Sequence, residues 1–248
     1  MHADAWAHAA RHGQDYARAG GDWGLISDGC SSSPDTDCGA RLLVLAAAAE
    51  GVLDLDGVVT RAAHLAAGLL PPEALDATLL AVQRRSDGQV EATAWGDGLV
   101  FGVRRDGVIE AWEIDHGGVP AYPAYRLNPG RLARWRVEGR GVQVRHWVGE
   151  VATALALDVG DFPVFSMAFA PSDWRLLGVA SDGLVAFRGP EGPVPLPAVL
   201  AHVTDIRAPQ GRFIERSSGF FLRRTCPRLG WVATDDYSVA ALWLGDGP

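Results

Sequence analysis

Four short apolar runs between residues 77 and 114 constrain this chain most: ATLLAVQ, QVEATAW, LVFGVRR and VIEAWEI. Each has the length of a strand, and turn residues separate them. Two of the separators, RRSDGQ (84–89) and RRDGVI (104–109), carry Asp-Gly between apolar runs. That pair suits tight hairpins, because both residues tolerate left-handed backbone. The middle of the chain therefore reads as a β-meander.

Helical segments stand on either side. CGARLLVLAAAAEGVL (38–53) is rich in Ala and Leu, with Asp37 placed to cap it and Gly51 near its end. VVTRAAHLAAGLL (58–70) follows and stops at Pro71-Pro72, since proline cannot continue a helix. Beyond the meander, DWRLLGVASDGLVAF (173–187) runs as a strand into another Asp-Gly, and PVPLPAVLAHVTDI (193–206) gives a helix after a proline-rich entry. The chain closes on GWVATDDYSVAALWL (230–244), two apolar runs meeting at Asp235-Asp236. No linker or repeat divides these parts, so residues 1–248 read as one α+β domain.

The net charge of −8 speaks against a nucleic-acid partner, which needs a basic face. One basic stretch, GRLARWRVEGRGVQVRHW (130–147), reads as β-strands with a solvated basic face. Apolar runs are cut short of the roughly 18 residues a membrane helix needs, and the N-terminus lacks the pattern of a signal peptide. The expectation is a cytoplasmic protein that docks on no membrane. Cys30, Cys38 and Cys226 are too few and too irregularly spaced for a disulfide framework or zinc ribbon, which suits a reducing compartment. Trp23, Trp95, Trp112 and Trp174 read as core, while Trp147 and Trp231 are candidates for the rim of a groove.

Three aspartates share one context. Asp28 in LISDG, Asp182 in GVASDG and Asp235 in ATDDYS each follow a buried run where a strand gives way to a loop. Carboxylates brought together repel one another unless a cation lies among them, and hard divalent ions with oxygen ligands suit such a site. Asp-Gly is also a common turn dipeptide, so spacing alone leaves a metal site and a set of turns both open.

In order, GQDYA, SDGCSSSPDTDCGARLL, DATLLAV, GDG, SDGLVAF and DDYSVAAL resemble the successive motifs of the metal-dependent protein phosphatases of type 2C, the compact bacterial members above all. The resemblance runs from about residue 13 to residue 244. It implies an αββα sandwich of two antiparallel β-sheets flanked by helices. It also implies hydrolysis of phosphoserine and phosphothreonine by a water activated between two Mn²⁺ or Mg²⁺ ions. Transferred motif by motif, Asp28 bridges both ions and the Gly29 carbonyl binds one. Asp182 and Asp235 hold the other, and Asp15 stands where the family binds the second ion, directly or through water. The substrate implied is a phosphorylated protein, a kinase or kinase target.

The chain departs from the family in places. Cys30 stands where many members have His, and GDGLVF and DATLL replace more typical stretches, leaving Asp76 and Asp97 as structural acids. The family's phosphate-binding Arg falls at Ala10 here, so Arg11 and His12 are the candidates for the substrate phosphate, and His12 is also a candidate proton donor. Asp115, before His116, is the candidate for a third metal. Asp236 stands where the family often has Asn and reads as a support for its loop. The flap that shapes the family's groove is expected within residues 130–172. Two other functions stay open: a silent phosphatase-like binding module, and a two-metal hydrolase of small phosphoesters.

Overall fold

The computed structural model describes residues 1–51, 54–139, 141–155 and 162–245. The chain begins with strands β1 (His2–His8), β2 (Tyr16–Ala19) and β3 (Trp23–Ser27), then helices α1 (Thr36–Glu50) and α2 (Leu55–Ala66). The meander is β4 (Leu79–Arg84), β5 (Val90–Trp95), β6 (Gly98–Arg104) and β7 (Ile109–Asp115). Helix α3 (Pro129–Glu138) leads to β8 (Gln143–Val148), β9 (Val151–Leu155), β10 (Phe165–Phe169) and β11 (Trp174–Ala180). Next come the short β12 (Phe187–Gly189) and β13 (Gly192–Pro193), helices α4 (Leu196–Val203), α5 (Phe213–Phe220) and α6 (Cys226–Leu229), and strands β14 (Val232–Ala233) and β15 (Tyr237–Trp243).

Two antiparallel sheets stack. One has the order β1-β15-β11-β6-β7-β8-β9 and the other β10-β5-β4-β3-β2, while β13-β12-β14 form a small third sheet. Alternation along the strands builds the layers. Leu80 and Val82 of β4 meet Val100, Leu177, Val179 and Leu242 between the sheets. Their neighbours Leu79 and Ala81 point out to Leu43, Val44, Val58 and Val59 of α1 and α2. On the other side, Leu99, Phe101 and Val103 face Val199, Leu200, Phe213 and Ile214 of α4 and α5. The result is an αββα sandwich. Among the described residues, no helix is long and apolar enough to cross a membrane.

Both Asp-Gly hairpins form, pairing Arg84 with Val90 and Val103 with Ile109. Some local expectations are corrected. Asp37 lies within the first turn of α1, and Asp35, in left-handed backbone, takes the N-cap position. α2 ends at Ala66 and a 3₁₀ turn, Pro72–Leu75, follows it. The basic stretch 130–147 divides into α3 and β8 instead of two strands. Pro129 and the Asn128 side chain, which accepts from the Arg131 N–H, start the helix, and Trp135 anchors it. Trp95, Trp112 and Trp174 are core residues, while Trp23 is half-buried against the α1/α2 layer. Within the region expected to hold a flap, residues 140 and 156–161 lie outside the described residues.

Candidate active site

The cleft is built where three segments end together. Ser27 donates to the Thr78 carbonyl at 2.5 Å, Thr78 N–H donates to the Asp28 carbonyl, and the Thr78 hydroxyl accepts from the Asp28 N–H. These bonds clamp the end of β3 to the start of β4. Gly29 presses against α1 so closely that a Cβ would lie 2.8 Å from the Thr36 carbonyl oxygen. Asp182 opens a 3₁₀ turn after β11, and Gly183 lets that turn touch the backbone before β15, where a Cβ would sit 1.8 Å from the Asp236 carbonyl oxygen. Ser181 joins the parts. Its hydroxyl donates to Asp15 Oδ2 at 2.7 Å and accepts from the Ser238 N–H at 2.9 Å.

Four carboxylates follow a gradient of exposure. Asp15 is buried, Asp28 is half-buried, and Asp182 and Asp235 open onto water at the mouth. Asp28 is within hydrogen-bonding reach of both Asp15 and Asp182. Burial, then repulsion from Asp15 and Asp182, drives the Asp28 carboxyl well above its ordinary range. Asp15 rises to about 6, mainly by burial, with Asp182 adding repulsion. The surrounding protein, followed by Asp235 and Asp115, also raises Asp182. No Arg forms an ion pair with these four among the described residues.

Asp28, Gly29, Asp182 and Asp235 line one cleft of about 250 Å³, together with Gln14, Cys30 and Tyr122. Asp115 lines an adjoining recess with Asp97 and Asp182, and its carboxylate accepts from the Gly117 N–H at 2.6 Å. Arg11 and His12 are exposed, and their side chains do not line the cleft. Their backbone N–H groups instead point at Asp236. That carboxylate accepts from the N–H groups of Ala10, Arg11, His12, Gly13 and Gln14 at 2.6–3.3 Å. Burial would raise the Asp236 carboxyl, but the donors from Arg11, Gln14, His12 and Gly13 outweigh it and hold it below its ordinary range. The loop leading into Asp15 is thus wrapped around Asp236.

Trp147 and Trp231 lie away from the cleft. Trp147 donates to Glu113, and Trp231 packs against His202 and Phe221. Asp97 is the residue whose place the sequence concealed. Read there as a turn acid, it lines both cleft and recess, and burial followed by repulsion from Asp182 and Asp115 lifts it to about 7. Asp76 is structural: it accepts from Ser33 at 2.8 Å and Arg131 at 2.6 Å.

Divalent cations fit the chemistry of this cleft. The donors are carboxylate and carbonyl oxygens, the carboxylates are crowded with no Arg paired to them, and Asp15 Oδ1 is buried with no hydrogen-bond partner among the described residues. Among the described residues, no three acidic, His or Cys side chains converge tightly enough to enclose an ion as they stand. The fit is therefore one of donor type and position.

Fold and cleft together define an αββα sandwich with a carboxylate cluster at the ends of its strands. That fold is the fold of the PPM serine/threonine phosphatases. The chain is similar to the PPM Ser-Thr phosphatase MsPP from Mycobacterium smegmatis, solved with cacodylate, at 23% identity and a TM-score of 0.52 over 99% of each chain. It is also similar to the serine/threonine phosphatase PstP/Ppp of Mycobacterium tuberculosis, at 16% identity and 0.54 over 98% of each chain. The catalytic domain of PstP, solved with two manganese ions, matches at 15% identity and 0.55 over 96% of each chain. No family model and no curated protein matches the sequence.

Proposed function

We propose that residues 1–248 form one phosphatase 2C-like domain that hydrolyses phosphoserine and phosphothreonine in a protein substrate, a kinase or kinase target. The observation that carries this is the meeting of Asp15, Asp28, Asp182 and Asp235, from segments far apart in sequence, at one end of a PPM-type sandwich. Asp28, the Gly29 carbonyl, Asp182, Asp235 and Asp15 would hold two Mn²⁺ or Mg²⁺ ions, and Asp115 is the candidate for a third. Such ions, when bound, make water acidic enough to supply hydroxide near neutral pH and balance charge on the phosphoryl oxygens.

The chain's own residues prepare the site. Ser181 orients Asp15 through one oxygen and leaves the other free. Asp236 fixes the loop 10–14 and so the approach of Gln14, whose amide donates to the Cys30 carbonyl at 3.3 Å and to Thr36 at 2.7 Å. The clamp of Ser27 and Thr78 sets the Asp28 backbone, and with it the direction of the Gly29 carbonyl.

The test is hydrolysis of a phosphothreonine peptide by chelated protein, then with Mn²⁺ or Mg²⁺ restored, for the wild type and Asp182→Asn. Turnover that needs metal and falls about 10³-fold in the variant supports the proposal. Metal binding with hydrolysis of small esters alone would assign the site to a small-phosphoester hydrolase. Failure of the wild type to bind metal would leave a phosphatase-like binding module.

A further inference from the structure

A second concavity lies on the α4/α5 side of the sandwich and shares no lining residue with the acidic cleft. It encloses about 240 Å³, room for one large side chain, not a flat surface. Its floor is Phe213 and Phe221, each 1% exposed, and His202 stacks on Phe221 at 5.4 Å. At its lip stands Phe220, 58% exposed. No other Phe, Tyr or Trp is exposed among the described residues. An exposed ring beside a hollow with an aromatic floor is an unusual arrangement for a protein surface, and such places commonly bind.

The charge there opposes that of the whole molecule. Residues 205–228 contain six Arg against Asp205 and Glu215, within a chain of net charge −8. Arg216 braces the loop that borders the groove, donating to the Ala208 and Gln210 carbonyls at 2.7 Å each. Arg207 is 85% exposed, with Asp205 only at 4.0 Å. Arg223, Arg224 and Arg228 are exposed, and no ion pair holds them among the described residues. Five residues of π-helix, Phe221–Thr225, join α5 to α6 and carry the chain to Pro227, which cannot donate to a preceding carbonyl. Phe220, Arg223, Arg224 and Arg228 all face solvent in and beside this stretch, and π turns recur at functional places.

We propose that this groove docks an acidic segment of a partner protein, with one Phe or Leu side chain seated between Phe220, Phe221 and His202 and flanking carboxylates on Arg207, Arg223 and Arg224. Arginine and aromatic anchors around a desolvated pocket are the usual centre of a protein interface. The concave, side-chain-sized hollow favours a peptide over a bilayer, which meets a convex apolar face. A segment held here leaves the acidic cleft open, so docking and chemistry can proceed on the same molecule.

Fluorescence anisotropy of the full chain with a labelled acidic dodecapeptide, Glu and Asp around one central Phe, tests this. The expected result is saturable binding that weakens with salt. It should weaken about tenfold when Ser replaces the peptide's Phe, in Phe220→Ala, and in the double variant Arg223→Glu/Arg224→Glu. These side chains are exposed, so melting temperatures should match the wild type. No binding, binding indifferent to both variants, or equal binding of the Ser peptide would overturn the proposal. So would capture of phosphatidylserine vesicles or oligothymidylate, in place of the peptide, by the same residues.

Discussion

Ser-Asp-Gly occurs three times in this chain, at 27–29, 86–88 and 181–183, and the three copies divide into two kinds. At 86–88 the tripeptide is a hairpin turn. Gly88 has φ +87° and open space around it, and the Asp87 carboxylate accepts from the Gln89 N–H at 3.0 Å. At 27–29 and 181–183 neither glycine has positive φ. Both are needed because another backbone passes within about 3 Å of where a Cβ would be. In the turn, glycine provides conformational freedom, and the aspartate caps its own loop. In the cleft, glycine provides closeness, and the aspartate is pressed against other carboxylates. The same three letters therefore serve a local role or a long-range one, according to what packs on them.

This contrast can be broken experimentally. The largest effect should come from the aspartates: Asp28→Asn should lower metal-dependent turnover about 10³-fold, whereas Asp87→Asn should leave it within about twofold. Steady-state kinetics on a phosphothreonine peptide would show whether the two kinds differ this far. Next come the glycines. Gly183→Ala drives a methyl group into the Asp236 carbonyl and should cost roughly 3 kcal/mol in urea unfolding, the upper range for overpacking. Gly88→Ala meets no neighbour and should cost about 1 kcal/mol, from its left-handed backbone alone. Equal costs would erase the distinction.

Asp236 lies on the other side of the Gly183 contact. Asp236→Ala would leave the N–H groups of residues 10–14 without their acceptor, at a cost of about 2–3 kcal/mol. It should weaken metal affinity as well, because the loop carries Asp15, and calorimetric titration with Mn²⁺ would read this. The smallest effect is on pH dependence. Asp15 titrates near 6 when folded against 3.8 unfolded, and Asp97 near 7. Between those limits these two carboxyls hold more protons in the folded chain than in the unfolded one, so their contribution to stability falls as pH rises. The contribution is complete below about 4 and gone above 7. Chelated protein should melt progressively lower from pH 4 to 7, and Asp15→Asn should flatten that slope. A slope unchanged in the variant would detach Asp15 from the effect.

The local pieces are legible in the residues alone: the two Asp-Gly hairpins, the placing of α1, α2 and α4, and three aspartates at strand ends. Turn chemistry, capping and alternation act over a few residues, so each is visible in a few letters. The sequence misled where local signals competed, as in residues 130–138, where basic residues interleaved with Val and Trp resemble a strand although Asn128 and Pro129 start a helix. Tertiary structure alone decided that β15 lies between β1 and β11, that Asp236 holds loop 10–14 from 222 or more positions away, and that Asp97 faces the cleft. It also brought Phe220, Arg207 and Arg216 around one hollow. Those facts depend on which surfaces bury one another, and burial on a sheet face is a property of the packed layers, not of any short stretch of residues.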